Sequence, residues 1–240
     1  MPVTVVHELP MRWADLDSLN HVNNVVYLDY AAESRAMLDA DGVLDEHPVR
    51  RTVVEFLRPL LLSRRPVHIT STVEGDELVQ EIRPVPEAEP FARVTTTLGE
   101  PARLPASTSD ADTLPCPVRR SDLGPDGLVT GVKVFELFQE ARILLIASRL
   151  KALSAGRFVV GRVDVTYGEG MPWRAEPYEV SSWVSRLGTS SAAIEAEIIG
   201  ADTVHGRASA VLIGFDLETQ RSRPYSDEER EAFASLSRPD

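Results

Sequence analysis

The feature that most constrains the fold is an order of elements that the chain runs through twice. Residues 3–13 (VTVVHELPMRW) read as a strand, with Pro10 near a bulge or edge because proline cannot donate to a ladder. A polar stretch follows. Val25 to Ala40 then carries helical spacing, with Tyr27, Tyr30, Ala31, Ser34 and Leu38 on one face. Asn23 or Asn24 suits the N-cap and Gly42 the stop. RTVVEFLRP, PVHITSTVEG, ELVQEIRPV and FARVTTTLG are predicted strands, rich in Val, Ile and Thr and separated by turn residues. Residues 101–113, dense in Pro, Ala, Ser and Asp, read as a linker between a first domain (1–100) and a second (114–240). The order then begins again. PCPVRRS can form a strand, Val132 to about Leu153 a helix, and FVVGRVDVTY, PYEVSSWVSRLG, SSAAIEAEII and VHGRASAVLIGFDL four strands. SDEEREAFASL adds a short C-terminal helix capped by Ser226.

The halves superpose with a shift of 107 residues. Arg12 falls on Arg119, Asp15 on Asp122, Glu33 on Glu140 and Arg35 on Arg142. The helical faces keep phase too, with Tyr27, Tyr30, Ala31, Ser34 and Leu38 on Val134, Leu137, Phe138, Ala141 and Leu145. Agreement of residues, element order and helical phase identifies an internal duplication. It implies an intrachain pseudo-dimer, with further homo-oligomer formation left open.

Composition narrows the function. A chain of 240 residues, 43% hydrophobic and 26% charged, is long enough for a sizeable core. A net charge of -12 argues against general affinity for nucleic acid or anionic membrane, both of which need cationic surface. The single Cys116 offers neither an internal disulfide nor metal spacing, as expected of a reducing compartment. No secretory leader is evident at Met1 and no apolar run approaches the roughly 20 residues of a bilayer span. A cytoplasmic location is the expectation.

The residues of chemical interest lie in RWADLDSLNHVNNVVYLDYAAESR, Arg12 to Arg35. By spacing alone Asp15 and Asp17 read as loop and capping residues, because Asp is common before helices. The stretch resembles the hotdog-fold thioesterases of the 4-hydroxybenzoyl-CoA thioesterase type, through Arg12, Trp13, Asp15, Asp17, His21, Val22, Asn23, Asn24, Tyr27, Leu28, Tyr30 and Arg35. Plant acyl-ACP thioesterases are similar across Asp15 to Tyr27. The chain departs at Asn20, where the bacterial pattern has glycine, and at Ala32-Glu33, where the acidic position is shifted. The match spans about 24 residues of the chain.

The resemblance implies an α+β fold: two tandem hotdogs, each a long central helix wrapped by a curved antiparallel sheet. It implies hydrolysis of an acyl-CoA or acyl-carrier-protein thioester without metal or redox cofactor. Asp17 takes the matching catalytic position, as base or nucleophile. The helix start supplies unpaired N–H groups that polarise the carbonyl. His21 either orients Asp17 and water or is bonded within the loop. Asn23, Asn24, Val25 and Tyr27 are candidate substrate contacts, although the asparagines also suit the cap and Tyr27, like Tyr30, core packing. Asp15 reads as scaffold, since Asp122 survives in the second half.

That half has lost the rest. Asp17 falls on Gly124, His21 on Leu128, and Asn23-Asn24 on Thr130-Gly131. Asp126 and Glu136 could in principle substitute, but the lost groups lead to the expectation of one live site per chain. For the phosphates of coenzyme A the candidates are Arg58, Arg64 and Arg65, with Arg162 in the second half, since arginine presents a planar fork of donors. Gly188 to Ser191 resembles a family turn and reads first as a hairpin. Hydratases of the same fold carry a D-x-N-P-x-H arrangement that is not present in the sequence. A non-catalytic acyl-thioester binding module is the remaining alternative.

Overall fold

The first strand, β1 (Val3–Leu9), and the second, β2 (Val49–Phe56), stand at opposite ends of the antiparallel strand order of the first unit, so the chain joining them, with its helix, has to cross the face of those strands. The structure, a computed structural model, describes residues 2–17, 20–44, 47–105, 113–149, 157–216 and 218–237. It divides into two compact units, Met1–Pro101 and Ala102–Asp240. In the first, α1 (Asn24–Ala40) is followed by β2, β3 (Val67–Glu74), β4 (Glu77–Arg83) and β5 (Ala92–Leu98), ordered β1-β3-β4-β5-β2 across the sheet. In the second, β6 (Thr113–Cys116), α2 (Gly131–Arg149), β7 (Phe158–Tyr167), β8 (Tyr178–Leu187), β9 (Ser191–Gly200) and β10 (Thr203–Asp216) are ordered β6-β8-β9-β10-β7. These are the same topology: first, third, fourth, fifth, second.

Alternation along the strands explains why each sheet keeps one face for its helix. In β5 and β10 every second residue is buried, the period-2 pattern of a half-covered sheet. The helical residues picked out by spacing, Tyr27, Tyr30, Ala31, Ser34 and Leu38, are all buried in α1. Leu38 packs with Leu44, Leu78 and Leu98, and each such side chain contributes about 1.5–3 kcal/mol on burial. The first core also holds a polar path. His7 Nδ1 lies 2.9 Å from Ser34 Oγ, which lies 3.0 Å from Ser71 Oγ, and Gln80 Nε2 donates to Ala31 O at 2.9 Å.

Several elements differ from expectation. Pro10 does follow the edge strand β1, as the edge alternative expected, and β1 pairs with β3 without a bulge. The sixth strand runs Thr113–Cys116 and stops before PVRRS, whose arginines lead into a capped 3-10 turn, Arg120–Asp122. The face of α2 is broader than its spacing indicates: Phe135, Gln139, Arg142 and Ile146 are buried, Leu137 is half-buried and Ser148 is exposed. Burial without a counter-charge pulls the Arg142 guanidinium down to about 10. The expected end of this helix near Leu153, and most of the 101–113 linker, lie outside the described residues.

A two-residue strand, β11 (Arg221–Ser222), pairs with β10 and leads to α3 (Asp227–Ala234), capped by Ser226 as expected. Phe233 of α3 is fully buried against Tyr225, and Glu229 accepts from Arg223 at 2.7 and 2.8 Å. Those bonds hold the Glu229 carboxyl down at about 2, against the opposing effect of burial. No helix among the described residues is long and apolar enough to cross a membrane.

Candidate active site

The loop from β1 to α1 is tied at both ends by its own polar residues. After Pro10, residues Trp13–Asp15 make a 3-10 turn. Asp15 Oδ2 accepts from the Arg12 N–H at 2.6 Å and from the Tyr30 hydroxyl at 2.7 Å. Burial, followed by this hydrogen bond and the Asp15 charge, pushes the Tyr30 phenol upward. Asp15 thus joins the loop to the helix and has little capacity left for a substrate.

Two residues on, Asp17 faces His21 across a tight turn. The Asp17 N–H donates to His21 O at 2.8 Å, and the His21 N–H returns a bond to Asp17 Oδ1 at 3.1 Å. Asn20 sits in this turn at φ 60°, a left-handed conformation that asparagine tolerates better than most residues. That accounts for asparagine standing where glycine is usual. Asp17 and His21 are both half-buried, so water and a ligand can reach them.

The helix begins immediately after. Asn23 is the cap, and its side chain accepts from the Val25 N–H at 3.0 Å. The Val26 N–H donates to Asn23 O at 2.9 Å. Asn24 is the first helical residue, and among the described residues its N–H has no acceptor. Val25 is buried in the first turn. Tyr27 is buried as well, edge-on to Phe56 at 5.5 Å, its hydroxyl accepting from the Leu60 N–H at 3.1 Å. Burial pushes the Tyr27 phenol up to about 12; the Leu60 bond opposes this and the Asp17 charge adds to it. Tyr27 is therefore packed, but within electrostatic reach of Asp17.

The segment between β2 and β3 closes the far side of the loop. Val22 N–H donates to Leu60 O at 2.8 Å, and His21 bridges to Leu61. Of the three arginines considered for phosphate, Arg58 is committed elsewhere: it donates to Pro90 O and Glu89 O and lies over the Phe91 ring. Arg64 and Arg65 are exposed. Arg64 lines a groove of about 670 Å³ with Trp13, Met11, Leu62, Pro66 and Glu8. The structure thus brings Asp17, His21, Asn23, Asn24, Val25 and Tyr27 to one helix start and sets Arg58 apart. Sequence reading passed over Trp13 and the Leu60–Leu62 run; three leucines between Pro59 and Ser63 were the available signal.

The second unit repeats several of this loop's bonds, most of them between main-chain groups. Arg119 N–H donates to Asp122 Oδ2 at 2.7 Å, Gly124 N–H to Leu128 O at 2.7 Å, and Val129 N–H to Met171 O at 2.8 Å. Leu128 bridges to Pro172 as His21 does to Leu61. Backbone is conserved between the copies while chemistry is not. The two carboxylates that could substitute are engaged: Asp126 Oδ1 accepts from the Leu128 N–H at 3.0 Å, and Glu136 pairs with Lys133 at 2.5 Å. Arg162 pairs with Asp164 at 2.8 Å. Gly188 to Ser191 is a hairpin turn onto which Arg230 of α3 donates, at Gly188 O.

Comparison with known proteins gives one family match and several likenesses of fold. Residues 3–81 match the family described as acyl-ACP thioesterase C-terminal domain. Among solved structures, the chain resembles the 12:0-ACP thioesterase of Umbellularia californica over 92% of its length and 94% of that chain (TM-score 0.64, 12% identity). A putative oleoyl thioesterase of Lactobacillus plantarum matches over 90% and 97% (TM-score 0.63, 14% identity). Over most of its length the chain shares the fold of these hotdog thioesterases. An acyl-ACP thioesterase of Bacteroides thetaiotaomicron has the same fold at TM-score 0.57 and 11% identity, over 87% of this chain and 97% of that one. No curated protein sequence matches the chain. The family match to this hotdog chain takes in the loop, α1 and β1 to β4, the part that holds Asp17.

Proposed function

We propose that the chain hydrolyses an acyl-CoA thioester to a free acid and coenzyme A, with one site per chain at the start of α1. The observation that carries this reading is a half-buried carboxylate, Asp17, that accepts from a backbone N–H beside a helix start whose Asn24 N–H has no acceptor among the described residues. A carboxylate and an oxyanion donor on one side of a helix start are what acyl transfer needs. Asp17, as base, takes a proton from water. The water oxygen attacks the thioester carbonyl carbon, and the carbonyl oxygen gathers negative charge toward the Asn24 N–H and the positive end of the α1 dipole. Collapse breaks the C–S bond, and the thiolate leaves and takes up the proton. As nucleophile, Asp17 instead forms a mixed anhydride that water cleaves. His21, half-buried between Asp17 and Leu61, orients water or the thioester.

In this reading the units are tandem hotdogs, the second keeping the loop as scaffold without the reacting groups. Thiol release from a panel of acyl-CoA chain lengths is the test, for the wild type and Asp17→Asn. Asp17→Asn should lose about 10²–10⁴-fold in turnover with unchanged circular dichroism. Equal hydrolysis by the variant would remove Asp17 from the mechanism. Tight binding without turnover on any chain length would point to a binding module.

A further inference from the structure

The groove beside the loop is an exposed feature of the first unit that the hydrolytic chemistry leaves unused. Trp13 stands at its edge with 81% of its surface exposed, next to Leu61 and Leu62 at 58% and 43%. Large apolar side chains so close together on a surface mark a binding site. Arg64 lines the groove and Arg65 follows it. Among the described residues neither guanidinium has a hydrogen-bond or ion-pair partner, although the chain carries a net charge of -12. The groove's carboxylate, Glu8, lies 3.5 Å from His68 Nδ1.

The second unit shows what this place looks like when the chain occupies it. The bridges His21 to Leu61 and Leu128 to Pro172 align Leu62 with Trp173, and the repeat aligns Trp13 with Arg120. Arg120 lies 3.6 Å from the centre of the Trp173 ring, and Arg174 is spent on the carbonyls of Glu176 and Pro177. Cation and indole satisfy each other there. In the first unit an indole and two guanidiniums are all left open.

We propose that Trp13, Arg64 and Arg65 form a subsite for the adenosine phosphate end of a coenzyme A thioester. The indole stacks on the adenine and the guanidinium forks take the phosphates. The inference rests on the hydrolase reading above and deepens it, because a carrier-protein thioester has no adenine to stack. Size favours the nucleotide over a protein partner. A groove of about 670 Å³ is that of a small-ligand site, whereas docked proteins cover roughly 800 Å² on each side. Position favours it too: Leu62 follows the residue that bridges to His21, so the groove opens beside the candidate site.

The experiment pairs a binding probe with a truncated substrate, both on the full chain. Adenosine 3′,5′-bisphosphate should quench tryptophan fluorescence and inhibit acyl-CoA hydrolysis competitively. Trp13→Ala and Arg64→Ala should each weaken that binding and raise KM for acyl-CoA about tenfold, with KM for the matching acyl-pantetheine moving less than twofold. Two substitutions of different chemistry guard against one that simply misfolds. Probe binding that is undetectable, or equal in wild type and variants, overturns the subsite, as does an equal rise in KM for both substrates. Inhibition by an acyl carrier protein with none by the bisphosphate overturns it in favour of a protein partner. Probe binding lost in the variants, in a chain without turnover, supports the subsite while refuting hydrolysis.

Discussion

At the scale of single residues, two aspartates two positions apart have different fates because of what surrounds them. Asp15 is saturated by the Arg12 N–H and the Tyr30 hydroxyl, while Asp17 holds its own turn and stays open to solvent. Sequence patterning offered both as capping residues; only the position of Tyr30 on α1 separates them. Tyr27 acts similarly across a longer distance, since its buried hydroxyl is the acceptor for Leu60. Tyr27→Phe strands that N–H and should cost about 1–3 kcal/mol, seen as a lower midpoint in urea. An unchanged midpoint would mean that water replaces the hydroxyl. The pairing of Tyr27 with Leu60, 33 residues apart, has no local sequence signal.

At the scale of elements, the helix start and the C-terminal helix carry separate predictions. Asn23 caps α1 directly beside the candidate site. Asn23→Ala should destabilise the chain by about 1 kcal/mol and reduce turnover at saturating substrate, because the freed Val25 N–H disturbs the helix start. Stability lost with turnover unaffected would separate the cap from the chemistry. The short α3 docks through Glu229, whose carboxyl is held at about 2 by Arg223, below its usual 4.5. A lowered folded-state value stabilises the protein above the unfolded value, and the contribution fades as pH falls from about 4.5 toward 2. Thermal midpoints should therefore drop across that window in the wild type. Glu229→Gln, which breaks a buried pair, should cost on the order of 3 kcal/mol at neutral pH and flatten the acid dependence. A variant with the wild-type acid profile would show that other carboxylates dominate. Element order and both caps were legible, because periodicity and capping are local. The early stop of β6 and the broad face of α2 were not, since they depend on what packs around them.

At the scale of the whole molecule, two units with the same strand order carry the candidate set Asp17, His21, Asn23 and Asn24 once. Titration with a non-hydrolysable acyl-CoA analogue should give a stoichiometry of about one per chain by calorimetry. Two equivalent sites would show that the second loop binds despite Gly124 and Leu128. By itself the sequence determined the recurring order of elements, the helical face of α1 and the stretch that holds Asp17, because each is written in spacing along the chain. The tertiary structure alone decided which aspartate stays open, which arginines are spent and which indole faces solvent. Arg58 closes on Glu89 and Pro90, and Arg120 on Trp173, while among the described residues Trp13 stays exposed and the Arg64 guanidinium has no hydrogen-bond or ion-pair partner. Those choices are made by residues tens of positions apart, brought together only when β1, α1 and the β2–β3 segment pack, and no local pattern records them.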